Sequence, residues 1–385
     1  MKQDQRPFEY IETEEALASF CARLMENAPL MAVDTEFVRE STYFSKLSTI
    51  QIATDTQTAL IDPVKHNLSL APLKAVFTNP NITKIFHAAR QDVEIFYHFW
   101  GVLPTPIADT QIIAMVNGFG DSVGYQSLVK SILDISLNKD CRVSNWLQRP
   151  LTQDQINYAM GDVLYLIDIY RVLLKRTEQR LDWVKEELEV LKNPETYAIR
   201  PEESWRRISI PLPIGLKEFS KIKALATWRE NEAVRQDKPR LHILKDQWLL
   251  DLARTSRPAQ KLKDLVAQTN VKKAYADALL HCLENPEEIL ELPQSLTPPP
   301  SPTTSEALVV DMLKVLHKMV AQEHAIAPKL LCTVDVLKQL VSGKRTGLPV
   351  LEGWRLDIFG NQVLTLLEGK TSFKVKGKTV RIVEE

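Results

Sequence analysis

Two acidic residues, Asp34 and Glu36, end the apolar run LMAV at residues 30–33. Alternate residues of an extended chain point to the same side, so these two carboxylates face one way and repel each other when both are ionised. Two explanations are open. The strand simply ends here with its last residues in water, or a cation binds between the two carboxylates.

Two further segments carry acids that lack an obvious partner. Asp92 lies in the first turn of the helix predicted after the apolar segment ITKIFHA, where it could merely interact with the helix dipole. Tyr158 and Asp162 are four residues apart and therefore share one face of a predicted helix. That face is otherwise apolar, and a carboxylate there needs a partner, which its own helix does not supply.

Four carboxylates on segments that can converge predict a site for two divalent metal ions, Mg²⁺ or Mn²⁺, because these hard cations prefer oxygen ligands. Two such ions about 4 Å apart can stabilise both the attacking and the leaving oxygen of a phosphodiester. Asp34, at the rigid end of a strand, is expected to bridge the two ions. The uncharged Tyr158 hydroxyl is expected to orient the attacking water.

The elements that must position these residues are strands alternating with helices. Asp109 is predicted to be the N-cap of a helix, and the chain from there to about residue 192 is predicted to be helical. This order predicts a mixed sheet covered by helices. The segments before residue 109 are a predicted meander of LMAVDTEFV, LSTIQIAT and QTALIDP, the helix LAPLKAVFTNP, the strand ITKIFHA and the helix RQDVEIFYHFW.

The net charge of −1 conceals an asymmetry along the chain. Residues 1–203 contain 20 Lys and Arg against 28 Asp and Glu. The corresponding numbers are 16 against 8 in residues 204–282 and 12 against 13 in residues 283–385. An acidic part that concentrates metal cations and a basic part that attracts polyanions would produce this pattern. Chance variation among solvated helix faces is the alternative.

The amino-acid composition argues against several classes of protein. The four cysteines, Cys21, Cys141, Cys282 and Cys332, are far apart, which argues against a zinc ribbon or a disulfide scaffold and fits a reducing compartment. The polar, acidic N-terminal segment is not a signal peptide, and no apolar run approaches the ~18 residues that span a bilayer. We therefore expect a cytoplasmic protein that does not bind membranes.

The motifs DTE, HAARQD and YAMGD together resemble the three exonuclease motifs of the DEDD superfamily in its tyrosine variant. Over residues 7–190, the segments VDTEFVRESTYFSKLSTIQIA, LIDP, DTQI and DVLYL are similar to the ribonuclease D family. The resemblance implies an α/β ribonuclease H-like (DnaQ-like) fold and 3′→5′ hydrolysis that releases nucleoside 5′-monophosphates. By motif position, it makes Asp34, Glu36, Asp92 and Asp162 the metal ligands, with Tyr158 positioning the nucleophilic water.

The remainder of the chain resembles helical nucleic-acid-binding modules. The pattern KPRLHIL, KDQWLLDLA and RP within residues 210–290 is similar to the HRDC domain, which implies auxiliary nucleic-acid binding; a simple packing domain is the alternative. Residues 306–385 resemble a degenerate second all-α copy. A Pro-rich linker is predicted at 292–305, and the exonuclease domain at 1–203.

We therefore expect an exoribonuclease that trims structured RNA, in the first place tRNA precursors, and no protein partner is implied. A DNA exonuclease stays open, because the hydrolysis needs no 2′-OH. A non-catalytic RNA-binding scaffold would be expected to lack one of the five site residues. His87 could contact substrate or be held in the protein by hydrogen bonds, and Phe37 could stack on a terminal base or pack in the core.

Overall fold

The protein is described by a computed structural model and forms two compact units. The first comprises the described residues of 1–36, 47–196 and 302–385, and the second those of 37–46 and 197–301. Among the described helices, none combines the length and apolar character needed to span a bilayer. The described residues are 7–137, 144–177, 180–268, 272–293, 296 and 303–384.

Six strands of the first unit form one mixed sheet: β1 (Glu9–Ile11), β2 (Leu30–Val38), β3 (Lys46–Ala53), β4 (Thr58–Ile61), β5 (Thr83–Phe86) and β6 (Ile107–Asp109). Their spatial order is β1-β4-β3-β2-β5-β6. β3 and β4 are antiparallel, whereas β1 with β4, β2 with β5 and β5 with β6 are parallel. The predicted mixed sheet, with β2, β3 and β4 as neighbours, is confirmed; the short strands β1 and β6 are additions.

Among the described residues of the same part of the chain there are eight α-helices, followed by a 3-10 helix at Pro194–Thr196. α2 ends just before Asn79-Pro80, because proline disfavours a helical residue in front of it. α3 ends at Gly101, whose φ of 70° is the left-handed conformation of a helix C-cap. The helices are α1 (Glu14–Asn27), α2 (Ala71–Thr78), α3 (Arg90–Trp100), α4 (Thr110–Val116), α5 (Tyr125–Leu133), α6 (Gln153–Leu164), α7 (Leu166–Thr177) and α8 (Leu181–Lys192).

The second unit is built around the long helix α9, in which Phe219, Ile222 and Leu225 are buried at the spacing that the sequence predicts. Its other described elements are helical as well. They are the 3-10 helices Pro201–Arg207 and Lys273–Tyr275, and the α-helices α9 (Leu216–Gln236), α10 (Arg240–Ile243), α11 (Asp246–Arg254), α12 (Pro258–Gln268) and α13 (Ala276–Glu284).

The second unit also contains residues 37–46, the connection between β2 and β3. Tyr43 is 7% exposed in its core, and its hydroxyl donates to Glu230 Oε1 at 2.5 Å. The backbone N–H groups of Tyr43 and Phe44 both donate to Asp237 Oδ1 at 3.0 Å. Arg240 donates to both carboxylate oxygens of Glu230 at 2.9 Å. The segment that follows the DTE motif is therefore anchored in the helical unit.

The described C-terminal residues pack within the first unit. The Trp354 ring stacks on that of Trp183 in α8, with centroids 4.3 Å apart and planes 12° apart. Arg355 donates to the carboxylates of Glu186 and Glu187 in the same helix. The elements here are α14 (Thr304–Glu323), α15 (Pro328–Leu331), α16 (Val334–Val341), a 3-10 helix (Pro349–Leu351), α17 (Gly353–Arg355), a π-helix (Leu356–Gly360), α18 (Asn361–Leu367), β7 (Thr371–Lys376) and β8 (Thr379–Glu384).

β7 and β8 form an antiparallel hairpin, which the prediction of an all-α C-terminal domain misses. Its chain reverses at Gly377, whose φ is 62°. Much of the predicted linker at 292–305 lies outside the described residues, as does Cys141. Cys21, Cys282 and Cys332 are free thiols.

Candidate active site

The end of β2 places Asp34 and Glu36 on one side of the strand and Thr35 on the other. The residues before them, Met31 to Val33, are buried, which fixes the strand in the sheet. Thr35 is itself only 5% exposed, and its hydroxyl donates to Asp92 Oδ1. Thr35 therefore links β2 to the segment that carries Asp92. Its position between two acids in the sequence does not indicate this role.

Asp92 is positioned by the turn between β5 and α3. Ala88 adopts a left-handed φ of 60° in this turn, and Asp109 stabilises it by accepting from the N–H groups of Ala88 and Ala89 at 3.0 and 2.9 Å. Asp109 also accepts from the N–H of Gln111 at 2.8 Å, which confirms its predicted role as the N-cap of α4. The buried Asp109 carboxylate thus stabilises the starts of both α3 and α4. Asp92 lies in the first turn of α3.

Tyr158 and Asp162 lie on α6, which begins with a capping box formed by Thr152 and Gln155. The Tyr158 ring lies 6.1 Å from the Trp146 ring, measured between centroids. The segment that carries Trp146 precedes the helix and contributes a wall beside the tyrosine.

The segment around Trp146 is held to the sheet by Arg149. Arg149 forms a bidentate ion pair with Asp62, at 2.5 and 2.7 Å, and also donates to the Trp146 carbonyl at 2.8 Å. The Ser48 hydroxyl donates to the same carbonyl at 2.5 Å. Because the Asp62 side chain is fully buried, this pair constrains the geometry of the segment far more than a surface ion pair would.

Three of the predicted ligands converge directly. Asp34, Glu36 and Asp162 each offer one carboxylate oxygen, and these atoms all lie within 4.8 Å of one another. Asp92 joins them through its bond to Thr35 and through its charge, which acts on Asp34 and Glu36. The donor set consists of carboxylate oxygens, and so it fits a hard divalent cation.

The acid cluster has strongly raised pKa values. Burial raises the pKa of Asp34 well above its ordinary range, and the charges of Asp92, Asp162 and Glu36 raise it further. Burial and the charges of Asp162 and Asp92 raise the pKa of Glu36 to about 9. Burial raises the pKa of Asp92 to about 7, although the hydrogen bond from Thr35 opposes the shift. Without a cation, the cluster therefore holds protons at neutral pH.

The two predicted substrate contacts differ in their surroundings. His87 has both ring nitrogens engaged, with Nδ1 2.9 Å from Thr110 Oγ1 and Nε2 2.9 Å from the Val123 carbonyl. Burial lowers the pKa of His87, so the ring is neutral at pH 7. These bonds favour the structural alternative for His87. Phe37 is half-buried in β2, directly after Glu36.

Sequence reasoning missed Tyr125, which is 8% exposed and accepts a 3.2 Å bond from the N–H of Tyr165. Burial raises its pKa well above the ordinary value, and the charge of Asp162 contributes next. Nothing in the motif pattern marks Tyr125, because its segment is far from α6 along the chain.

Comparison with known proteins agrees with this architecture. A family model described as a 3′-5′ exonuclease matches residues 8–178. The chain is 40% identical to the ribonuclease D of Acidiphilium cryptum, with 97% of this chain and 96% of that protein covered. It is also 40% identical to the ribonuclease D of Zymomonas mobilis, with 94% and 95% covered.

A crystal structure of Escherichia coli RNase D, described as an exoribonuclease involved in structured RNA processing, matches with a TM-score of 0.78 and 30% identity. The match covers 94% of this chain and 99% of that one. The near-complete coverage extends through the helical C-terminal part. The protein therefore belongs to the ribonuclease D family, the divalent-metal-dependent 3′→5′ exoribonucleases of the DEDD superfamily.

Proposed function

We propose that this enzyme trims the 3′ ends of structured RNA, in the first place tRNA precursors, and releases nucleoside 5′-monophosphates. The observation that carries the proposal is the convergence of Asp34, Glu36 and Asp162 within 4.8 Å, with Asp92 tied to the same strand through Thr35. Like charges gathered in a half-buried site are costly unless a cation neutralises them. The structured-RNA specificity is supported by the description of the Escherichia coli relative.

In this proposal, Asp34, Glu36, Asp92 and Asp162 hold two divalent ions, Mg²⁺ or Mn²⁺. When bound, the ions supply Lewis-acid stabilisation of the charge that develops on the phosphodiester oxygens. Asp34 would contact both ions, because it lies on the rigid strand β2 among the other acids of the cluster. The Tyr158 hydroxyl orients the attacking water, and the anchored segment at Trp146 limits the movement of the Tyr158 ring.

The HRDC-like domain at residues 210–290 is proposed to bind RNA, and residues 306–385 are proposed to be its degenerate second copy. The balance of 16 cations against 8 acids in residues 204–282 supports phosphate neutralisation by the first of these domains. Three free thiols and the absence of a bilayer-spanning helix among the described residues fit work in the cytoplasm, the proposed location.

The test uses a 3′-extended tRNA and a DNA oligonucleotide of the same 3′ sequence, each with Mg²⁺, and follows mononucleotide release. Asp34→Asn should abolish hydrolysis and leave RNA binding intact, because the exchange removes charge but little volume. Asp182→Asn is the matched control: it removes one acid whose side chain is 90% exposed and paired with Lys185. Activity of more than a few per cent in Asp34→Asn would show that Asp34 is not the shared ligand.

The same assay separates the alternatives. Faster release from DNA than from RNA would favour a DNA exonuclease, which the active-site chemistry alone does not distinguish. Tight RNA binding with no hydrolysis of any substrate would favour a binding scaffold. The presence of all four acids and Tyr158 opposes that alternative.

A further inference from the structure

The hairpin β7–β8 carries an unusual set of charges. Lys374, Lys376, Lys378 and Arg381 are all exposed. Residues 370–383 contain five cations and no acid. Apart from Glu384 at the end of β8, the charged residues of the two-stranded ribbon are all cationic, an arrangement that the stability of the fold does not require.

The register of the hairpin makes the charge arrangement unfavourable. Lys374 lies directly opposite Arg381, and Lys376 is on the same face because side chains alternate along a strand. Like charges directly opposite each other destabilise a ladder. A neutralising anion would remove this cost.

Other lysines in the C-terminal segment do have partners. Lys314 pairs with Asp311 and Lys338 with Asp335, each at 2.9 Å. Within the described part of the chain, by contrast, the four hairpin cations lie outside ion-pair distance of any carboxylate. Their charges are available to a partner.

The opposite face of the hairpin explains how it is held. Phe373 and Ile382 pack against the apolar core of the C-terminal helices, while Val375 and Val380 are 70% and 37% exposed. The base of the hairpin is therefore anchored, and its turn end is exposed to solvent, with Lys374, Lys376 and Arg381 on one side.

We propose that this cationic face binds the phosphate backbone of the RNA substrate outside the active site. The inference rests on the proposed function for the identity of the polyanion. Residues 374–381 include no aromatic side chain, so bases cannot stack on aromatic rings here, and a contact made through phosphates should be insensitive to sequence. The hairpin would bind the body of the RNA molecule while the 3′ end of the same molecule occupies the acid cluster.

The experiment measures binding of the full-length protein to a 3′-extended tRNA in EDTA, over a series of salt concentrations. Lys374→Gln/Arg381→Gln should reduce the slope of log affinity against log salt by about 1.4 to 1.8, because each lost phosphate contact contributes about 0.7 to 0.9. The matched control, Lys314→Gln/Lys338→Gln, removes the same charge from the same segment but from residues that are already paired, and should leave the slope unchanged.

A charge-conserving variant, Lys374→Arg/Arg381→Lys, should keep the slope of the unsubstituted protein, which separates loss of charge from damage to the hairpin. An unchanged slope in Lys374→Gln/Arg381→Gln, or an equal reduction in the control, would overturn the proposal. Cleavage of a five-nucleotide RNA with Mg²⁺ is measured in parallel and should be equal in all variants. Failure of the unsubstituted protein to cleave RNA would refute the proposed function instead.

Discussion

Glu36→Gln is expected to stabilise the metal-free protein while abolishing hydrolysis. The pKa of Glu36 rises from 4.5 to about 9 in the folded chain, so the folded state keeps a proton that the unfolded state has released at pH 7. Each pH unit above 4.5 then lowers the free energy of unfolding by about 1.4 kcal/mol, which amounts to about 3 kcal/mol at pH 7. The amide is neutral at every pH and avoids this cost.

The sign of the pH dependence follows from the same proton. Between pH 4.5 and about 9 the folded state binds more protons than the unfolded state, so the stability of the metal-free protein should fall as the pH rises. Urea unfolding in EDTA at pH 5 and pH 8 measures this slope, which should be smaller in Glu36→Gln. Mg²⁺ should raise the Tm of the unsubstituted protein more than that of the variant.

Glu189→Gln is the matched control, because that side chain is 66% exposed and paired with Lys192. It should leave both the stability and its pH slope unchanged. If Glu36→Gln were equal to or less stable than the unsubstituted protein in EDTA at pH 7, the account of repulsion and burial in the acid cluster would be wrong.

Three further substitutions test other parts of the molecule. Tyr158→Phe should lower kcat by roughly 10²–10⁴-fold with a smaller change in KM, measured with a short RNA; a raised KM with unchanged kcat would make the tyrosine a substrate-binding group. Thr35→Val should lower metal affinity or activity by about 10–100-fold, since Asp92 loses its bond; metal titration of activity measures this, and an unchanged titration would contradict the positioning role. Tyr43→Phe should cost about 1.5–3 kcal/mol in urea unfolding, because Glu230 loses a buried bond; a cost below about 0.5 kcal/mol would refute the anchoring of this segment.

The amino-acid sequence alone indicated the three acids that converge, Asp34, Glu36 and Asp162, because the motifs combine residue types with local spacing. Period-two alternation places Asp34 and Glu36 on one side, and four-residue spacing places Tyr158 and Asp162 on one face of α6. Proline at residue 80 and glycine at residue 101 end helices for reasons that act within a few residues. Such local effects can be predicted from the sequence without knowledge of the fold.

The tertiary structure decided everything that depends on distant residues. Thr35 bonds to Asp92, which is 57 positions away in the sequence, and Tyr43 bonds to Glu230, which is 187 positions away. No local sequence pattern indicates either contact. The prediction of an all-α module extended over the terminal hairpin, although FKVKGKTVRIV alternates apolar and polar residues around Gly377 with the period of a strand. Patterning specifies which side of an element is apolar, but which surface covers that side is settled only when the whole chain packs.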